Sequence, residues 1–365
     1  MTDQARTVRV LVVGLGTMGE SHALAYHTNP GFEIVGLVNR SGRAPSEVLS
    51  NYPLFTDFEK ALSAVEPDLV AIATYPDSHA SYAISAMETG AHVFLEKPIA
   101  ANALDAHRVV EVAERHGRKL VVGYILRHHP SWVRLIDEAR ALGGPYVFRL
   151  NLNQQSFAET WEAHKNLMQS LSPIVDCGVH YVDVMCQITD AKPVSVRGMG
   201  VRLSQEIAAD MYNYGHFQVI FDDGSVGWYE AGWGPMMSET AHFVKDIVSP
   251  NGAVSIVPDP AADSQSIDNH TKASHLQLHN AALDKDGNFV KADHVIAMES
   301  EPGHQELCDR QQAFMLRAIK DDLDLSRHMR DAVQSLEICL AADESIRIGH
   351  EIMLNKGAVR PKNPA

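Results

Sequence analysis

The stretch that decides the fold is Val8–Val13, followed by Gly14-Leu15-Gly16-Thr17-Met18-Gly19. A short run that is apolar apart from Arg9 is typical of a strand buried in a parallel sheet. The glycines that follow have the spacing G-x-G-x-x-G and lead into a helical pattern. Such glycines permit a tight turn, close approach of a pyrophosphate, and close packing of helix on strand. This turn is therefore predicted to bind a dinucleotide through Gly14, Gly16, Thr17, Met18 and Gly19.

Strand and helix patterns alternate from this stretch to about residue 125. Further apolar runs lie at Glu33–Val38, Leu69–Ala73, His92–Leu95 and Lys119–Val122, and the clearest helical pattern between them is Asn102–His116. Strict alternation of strand and helix is typical of a doubly wound α/β domain. We therefore predict a Rossmann dinucleotide-binding domain with a parallel sheet over residues 1–126.

The pattern changes after Tyr124. Longer, half-polar strands are predicted at 146–152, 194–203, 214–221 and 225–231, with a hairpin turn at Asp222-Asp223-Gly224. These features indicate an α+β domain with a large, mostly antiparallel open sheet over residues 127–365, serving substrate binding and oligomerisation. Residues 257–300 are polar and weakly patterned, and we expect a long surface excursion there. Two helices are predicted to close the chain, near 304–320 and 331–348.

Composition narrows the possible partners. The chain has 365 residues and a formal net charge of −15, which argues against nucleic acid or an anionic membrane surface as a partner. No apolar run approaches the ~20 residues that span a bilayer. The N-terminal residues have no export signal, so we expect a cytoplasmic protein that acts on a small molecule.

The end of the second predicted strand bears on the choice of dinucleotide. A carboxylate at this point would bind the adenosine ribose and select NAD, but the sequence has Leu37-Val38-Asn39-Arg40-Ser41. Arg40 can pair with the 2′-phosphate of NADP, and Ser41 can donate to it. Alternatively, Asn39 contacts the ribose of NAD and Arg40 is a surface residue. The sequence favours NADP, with NAD as the alternative.

A polar stripe marks one later helix. Ser172 is a predicted N-cap and Pro173 the first residue of a helix that runs to Ile188. Four polar residues of this helix share one face: Asp176, His180, Asp183 and Gln187. Such a stripe can be a solvated face, but apolar residues cover most of the rest of the helix and indicate burial. A polar stripe on a buried helix faces polar partners or a cleft, and we expect a cleft.

Two sequence motifs resemble those of a known protein family. Glu96-Lys97-Pro98, at the end of the strand His92–Leu95, resembles the Glu-Lys-Pro signature of the Gfo/Idh/MocA family, the glucose–fructose oxidoreductase and inositol dehydrogenase group. Residues 176–183 resemble that family's Asp-x-Gly-x-His-x-x-Asp helix, and Asp331–Ile348 resembles its last helix. The resemblance covers nearly the whole chain. It implies NAD(P)-dependent hydride transfer between a ring hydroxyl of a sugar, polyol or glycoside and the nicotinamide.

The resemblance also implies roles for individual residues. Lys97, Asp176 and His180 match the family's catalytic residues, and cofactor contacts are implied for Thr74, Pro76, His79, Glu96 and Lys97. His180, with an ordinary pKa of ~6.5, suits the base that takes the hydroxyl proton, while Lys97 suits the electrostatic group. Lys97 can also take the proton itself, and both assignments stay open. Asp176 would accept a substrate hydroxyl and orient His180.

Four further residues are candidates for the substrate wall, each with a structural role as an equal alternative: Tyr124, Arg127, Trp161 and His164. The chain departs from the family at Tyr75, where proline is usual, at Ile125-Leu126 before the arginine, and at Leu171-Ser172-Pro173, where many members have glycines. The last two departures lie where substrate would be held and bear on which substrate is taken. Asp176 and His180, one turn apart, have a spacing that can ligate zinc, but hydride transfer needs no metal and none is predicted.

Two other functions remain open at this stage. One is a redox-neutral, NAD-dependent glycosidase that oxidises C3 transiently, eliminates the C1 substituent, adds water and returns the hydride. The other is a dinucleotide-binding sensor without turnover, against which Lys97, Asp176 and His180 argue. An open sheet has a face left to bury, so we also expect a homo-oligomer, either a dimer or a tetramer.

Overall fold

The computed structural model describes residues 6–44, 46–266 and 270–354. The chain divides into two compact units. The first contains Met1–Ile125 and His304–Val333, and the second contains Leu126–Gly303 and Gln334–Ala365. Within the described residues, no helix combines the length and the apolar character that crossing a membrane requires.

The first unit is built on a parallel sheet. Its six strands are β1 (Val8–Val13), β2 (Phe32–Val38), β3 (Leu54–Phe55), β4 (Leu69–Ile72), β5 (His92–Leu95) and β6 (Leu120–Val122). Their order is β3-β2-β1-β4-β5-β6, and every pairing is parallel. Because both faces of such a sheet are covered, the strands are mostly apolar along their length. This is the doubly wound order predicted for this part of the chain.

Helices connect these strands, and local sequence explains where they begin and end. They are α1 (Thr17–Thr28), α2 (Phe58–Val65), α3 (Pro76–Glu88) and α4 (Ala103–His116). The side chain of Asn102 caps α4 by accepting from the Asp105 N–H, and Gly117 ends it with a φ of +60°. The predicted helix Asn102–His116 is thus confirmed.

The second unit contains a nine-stranded sheet. Its strands are β7 (Val147–Gln155), β8 (Pro193–Val201), β9 (Tyr214–Phe221), β10 (Val226–Gly234), β11 (Lys245–Ser249), β12 (Gly252–Pro258), β13 (Ala273–Asn280), β14 (His294–Ala297) and β15 (Ile352–Met353). The order is β14-β13-β12-β11-β7-β10-β9-β8-β15. All pairings are antiparallel except that of β7 with β10. The predicted fold class is confirmed.

Helices of the second unit pack on this sheet. They are α5 (Pro130–Leu142), α6 (Ala158–Leu167), α7 (Pro173–Asp176) and α8 (Gly178–Ile188). Burial alternates only at the start of β7 and in the second half of β8, where Val147, Arg149 and Met199 are exposed next to buried neighbours. At these positions one face of the sheet is exposed, whereas residues 150–153 of β7 are buried on both faces.

The region 257–300 was predicted to be a surface excursion, and this prediction is wrong in part. It contributes β13 and β14 to the nine-stranded sheet. In β13 only Ala273 and Leu276 are buried, and the other positions are half-buried or exposed. The apolar alternation that identifies a strand in sequence is therefore too sparse to recognise.

The assignment of the last helices also differs from the prediction. α9 (His304–Lys320) lies in the first unit, as does the start of α10 (Ser326–Ile348). Met315 and Ala318 of α9 belong to the same buried apolar cluster as Tyr26 and Phe32. This packing of α9 brings a late part of the chain back to the Rossmann sheet, whereas residues 127–365 were predicted to form the second domain as a whole.

Candidate functional site

The turn after β1 has the backbone geometry that its glycines predict. Gly14 has a φ of +86°, and a Cβ there would lie 2.5 Å from the Ala73 carbonyl oxygen. A Cβ on Gly19 would overlap the Gly14 carbonyl oxygen. Gly16, by contrast, has no neighbouring atom within 4 Å of an added Cβ. Gly14 and Gly19 are thus required for packing, while Gly16 borders open space.

That open space suits a pyrophosphate. Gly16 and Thr17 are exposed and Met18 is half-buried at the start of α1. No side chain caps this helix N-terminus, so its first N–H groups point toward the space beside Gly16. A helix N-terminus of this kind favours a bound anion through its N–H groups and its dipole. The residues present therefore fit a dinucleotide phosphate.

The end of β2 forms a tight turn. The Gly42 N–H donates to the Asn39 carbonyl oxygen at 2.9 Å, and Asn39 Nδ2 donates to the Arg43 carbonyl oxygen at 2.7 Å. Arg40 and Ser41 are exposed at the tip of this turn. One N–H of the Asn39 amide is thus used to close the turn, and Oδ1 and the second N–H are left as polar groups that a ribose can bind.

The loop after β4 contacts the buried side chain of His79. The His79 side chain is fully buried, with Nδ1 2.8 Å from the Pro98 carbonyl oxygen and Nε2 3.0 Å from that of Thr74. Burial lowers the pKa of His79. His79 therefore lies between the loop after β4 and the loop after β5, where a neutral ring donates to one of the two carbonyl oxygens, and its cofactor contact stays a prediction. Pro76 begins α3, and Thr74 Oγ1 lies 2.7 Å from Ser78 Oγ.

The Glu-Lys-Pro motif follows β5. Glu96 is 5% exposed, and its Oε1 lies 2.7 Å from His22 Nε2. Its Oε2 accepts from the Lys97 backbone N–H at 3.1 Å. Lys97 is half-buried, so Lys97 and not Glu96 has a surface that can reach a ligand. Glu96 thus binds the Lys97 backbone, and its cofactor contact stays a prediction.

In the second unit, Asp176 and His180 lie where two short helices meet. The predicted single helix 173–188 is interrupted at Cys177, between α7 and α8, although the φ and ψ of Cys177 stay helical at −86° and −37°. The Val175 N–H donates to Ser172 Oγ, which confirms the predicted cap. Ser172 Oγ in turn donates to Asp343 Oδ1 at 2.7 Å. Asp176 and His180 are half-buried.

The rest of the polar stripe has a different role. Asp183 is completely buried and accepts two hydrogen bonds from Arg127, at 2.8 Å and 2.5 Å. Gln187 Nε2 also donates to Asp183, at 3.0 Å. A buried carboxylate requires such compensation. Arg127, predicted as a candidate for the substrate wall, is therefore used to neutralise Asp183, which is the structural alternative.

The other candidates for the substrate wall are also buried. Tyr124, in the first unit, is 1% exposed and lies edge-on to His328. Trp161, in the second unit, donates from Nε1 to Glu206 at 3.3 Å. His164 stacks on Trp233 with ring centroids 4.3 Å apart, and its Nδ1 lies 2.9 Å from Ser156 Oγ. Burial lowers the pKa of His164 to about 4, against an opposing effect of Asp176.

Sequence reasoning missed two residues near this group. Trp233 Nε1 donates to Gln154 Oε1 at 2.9 Å, and Cys177 Sγ lies 3.9 Å from the same oxygen. Trp233 and Gln154 are partners in the parallel pairing of β10 with β7. Only that pairing brings them together, and a half-polar strand pattern does not reveal it. In the described part of the chain, no group of three or more His, Cys, Asp or Glu side chains is placed to hold a metal ion.

Comparison with known sequences identifies related proteins for both parts of the chain. Residues 8–124 match the oxidoreductase family with an NAD-binding Rossmann fold, and residues 133–243 match the GFO/IDH/MocA C-terminal domain. Inositol 2-dehydrogenase of Acidothermus cellulolyticus is 26% identical over 215 residues, covering 57% of this chain and 61% of the relative. UDP-N-acetylglucosamine 3-dehydrogenase of Acidithiobacillus ferrooxidans is 27% identical over 196 residues, covering 53% and 58%. The matched stretch thus spans roughly three fifths of each relative.

Solved structures show the same fold. GenD2 from gentamicin A biosynthesis, in complex with NAD, superposes with a TM-score of 0.73 at 19% identity, covering 97% of this chain and 98% of that protein. At this identity the similarity establishes the fold and no more.

Alanine substitutions at Gly16 and Gly19 test the separate roles of these two glycines. We expect Gly16→Ala to leave the thermal unfolding temperature unchanged but to weaken dinucleotide binding at least about tenfold, because its methyl group enters the space of the pyrophosphate. Gly19→Ala should instead destabilise the protein by about 2 kcal/mol or more, because its methyl group meets backbone. Unfolding scans and calorimetric titration measure both. Equal loss of stability in the two variants would contradict this division of roles.

Proposed function

Because the chain belongs to the Gfo/Idh/MocA oxidoreductase family, we propose that it is an NAD(P)-dependent dehydrogenase or reductase. Its substrate is a sugar, polyol or glycoside that reacts at a ring hydroxyl. The observation that carries this proposal is the accessible surface of Lys97, Asp176 and His180, in contrast to the burial of Glu96, His79 and Asp183. Relatives named as inositol 2-dehydrogenase and UDP-N-acetylglucosamine 3-dehydrogenase support the substrate class.

Each of these three residues suits one part of the chemistry. When bound, the dinucleotide supplies the nicotinamide that exchanges a hydride with the substrate carbon. Lys97 offers a cation that stabilises negative charge on the substrate oxygen. His180 takes the hydroxyl proton in oxidation and returns it in reduction. Asp176, one turn before His180, accepts from a neighbouring hydroxyl and orients the imidazole.

A test of this function is the effect of Lys97→Met on turnover. We expect wild type to change the absorbance of reduced nicotinamide with at least one member of a panel of hexoses, inositols and glycosides. Lys97→Met should lower kcat by about a hundredfold or more with an unchanged unfolding temperature. Lys119→Met is the matched control, because Lys119 bonds the Leu323 carbonyl oxygen and Asp322 instead. Absence of any nicotinamide-linked activity across the panel, with both cofactors bound, would count against the proposal.

The redox-neutral glycosidase remains the second candidate. A relative named as a 3-dehydrogenase supports it, since oxidation at C3 is its first step. The same panel separates the two: aglycone release without net reduction of the nicotinamide indicates the glycosidase, and net reduction without release indicates the dehydrogenase.

For the cofactor, we propose NADP as the preferred dinucleotide, bound through Arg40 and Ser41 at the tip of the turn after β2. The support is the exposure of both residues and the absence of a carboxylate from residues 37–41. Asn39, whose amide nitrogen closes the turn, has one acceptor atom left for a ribose hydroxyl.

The test is the affinity of Arg40→Ala for the two dinucleotides. We expect the Kd of NADP to rise about tenfold or more, because a charge-assisted contact with the 2′-phosphate is lost, while that of NAD stays within about twofold. Arg108→Ala, which removes a surface arginine paired with Asp105, serves as the control. Tighter binding of NAD than of NADP by the wild type would refute the preference.

We also propose a homo-oligomer that buries the open face of the nine-stranded sheet. Four apolar residues lie side by side across neighbouring strands of this face: Ile220, Val226, Val147 and Val248. Val147 and Val226 are the first residues of β7 and β10, and they are 41% and 37% exposed. The four residues thus form an apolar patch at one end of the central strands, which a partner subunit can cover.

Light scattering tests this association. We expect a dimer or tetramer for the wild type and a shift to monomer when Val147→Lys and Val226→Lys are combined, because two buried charges without partners oppose association. Leu104→Lys, at a residue of α4 that is 72% exposed, should leave the oligomer intact. A monomeric wild type at micromolar concentration would contradict the proposal.

A further inference from the structure

A chain of buried hydrogen bonds ends at the Glu-Lys-Pro motif. Tyr26 Oη lies 2.5 Å from Gln312 Oε1, Gln312 Nε2 lies 3.0 Å from His22 Nδ1, and His22 Nε2 lies 2.7 Å from Glu96 Oε1. Tyr26, Gln312 and His22 are at most 1% exposed, and Glu96 is 5% exposed. All of these residues belong to the first unit.

The charge of Glu96 determines the direction of every bond in this chain. An ionised carboxylate only accepts, so His22 must donate to it from Nε2. The other nitrogen of a neutral imidazole, Nδ1, then accepts from Gln312 Nε2. The amide oxygen of Gln312 is left to accept from the Tyr26 hydroxyl. Burial raises the pKa of Tyr26, which agrees with a phenol that keeps its proton and donates.

If every hydrogen bond in this chain ran in the opposite direction, one buried hydroxyl would lose its acceptor. If Glu96 were protonated and donated to His22 Nε2, His22 would donate from Nδ1 to the amide oxygen of Gln312, and the amide nitrogen would donate to Tyr26. The Tyr26 hydroxyl would then lose the buried acceptor that Gln312 offers, at the cost of an unmade hydrogen bond. The geometry therefore assigns an ionised Glu96 and a neutral His22 with its proton on Nε2.

The same carboxylate determines the position of Lys97. While His22 holds Oε1, Oε2 accepts from the Lys97 backbone N–H at 3.1 Å. A Cβ on residue 123 would lie 2.8 Å from Oε1, so Gly123 leaves room for the carboxylate in this position. The ring of Phe94 packs edge-on against His22, with centroids 4.7 Å apart. The Glu96 carboxylate thus contacts His22 and the Lys97 backbone, in a position for which Gly123 leaves room.

We propose that His22 and Gln312 are positioning residues for Lys97, acting through the ionised carboxylate of Glu96. His22 lies on α1, whose first turn adjoins the phosphate site, and Gln312 lies on α9. The chain of bonds therefore holds the Lys97 backbone in a constant position relative to the phosphate turn. This inference rests on the proposed function in one respect only, the catalytic role of Lys97.

The most direct test is Gln312→Glu, which replaces the amide donor with an acceptor of nearly the same shape. In the wild type, the ¹⁵N signals of His22 should be those of a neutral ring protonated at Nε2. In Gln312→Glu they should change to those of a ring protonated at both nitrogens, because carboxylates then face it on each side. The Lys97 backbone amide should keep its slow exchange, because a ring protonated at both nitrogens still donates from Nε2 to Glu96.

The matched control is Gln305→Glu on the same helix, where Gln305 Nε2 donates to the Ser21 carbonyl oxygen. It should change neither the His22 signals nor Lys97 exchange. A wild-type His22 protonated at Nδ1, or unchanged His22 signals in a folded Gln312→Glu variant, would overturn the proposal. Neither the ¹⁵N signals of His22 nor the exchange rate of the Lys97 amide depends on turnover, so both can be measured even if no substrate is found.

Substitution of His22 gives a second test that does not depend on the folding of Gln312→Glu. His22→Gln keeps an acceptor for Gln312 and a donor for Glu96, and should retain slow Lys97 exchange and most of kcat. His22→Leu removes both, so it should speed exchange of the Lys97 amide about tenfold or more. It should also lower kcat about tenfold, with KM and the Kd of the dinucleotide within about twofold. Equal kcat in the Leu and Gln variants would contradict positioning. If instead Lys97→Met retained full activity while the exchange results held, the proposed function would fail and the hydrogen-bond chain would stand.

Discussion

The absence of side chains at Gly14 and Gly19 is the constraint on which the rest of the first unit depends. A Cβ at either position would meet backbone atoms of Ala73 or of the turn itself. Without one, α1 can begin immediately after β1 and pack closely on β1, β2 and Ala73, which leaves the uncapped helix N-terminus beside the open space at Gly16. Backbone N–H groups in this arrangement bind phosphate without any charged side chain, as dinucleotide-binding turns do.

Parallel pairing then places the loops that follow β1, β4 and β5 at the same edge of the sheet. β1, β4 and β5 end in register, with Val13 beside Ile72 and Ile72 beside Leu95. The glycine turn, the loop at Thr74 and the Glu-Lys-Pro motif therefore follow neighbouring strand ends, the usual ligand-binding edge of such a sheet. His79 and Glu96 are buried beneath these loops and hold them, which leaves Lys97 with the accessible surface. A reactive residue supported by buried hydrogen-bonded partners is the arrangement expected of a preorganised site.

The sequence predicts the first sheet well because strands buried on both faces are apolar runs, and the glycine spacing occurs where such a run ends. It predicts the second unit less well, for a physical reason. A strand such as β13, with one open face and polar residues at His275, Gln277 and His279, has almost no periodic signal. The amphipathic pattern of α9 likewise indicates a buried face but not which core buries it. The roles of Arg127 and His79 were not predictable, since their partners, Asp183 and Pro98, are distant along the chain.

The central claim is that this chain exchanges a hydride between a carbohydrate carbon and a bound nicotinamide. The measurement that tests it most directly is isotope transfer with the dinucleotide-loaded protein and sugars or inositols deuterated at ring carbons. Mass spectrometry of the nucleotide after a single turnover should find one deuterium in the reduced nicotinamide for at least one labelled position. A protein saturated with dinucleotide that acquires no label from any of these substrates would contradict the account.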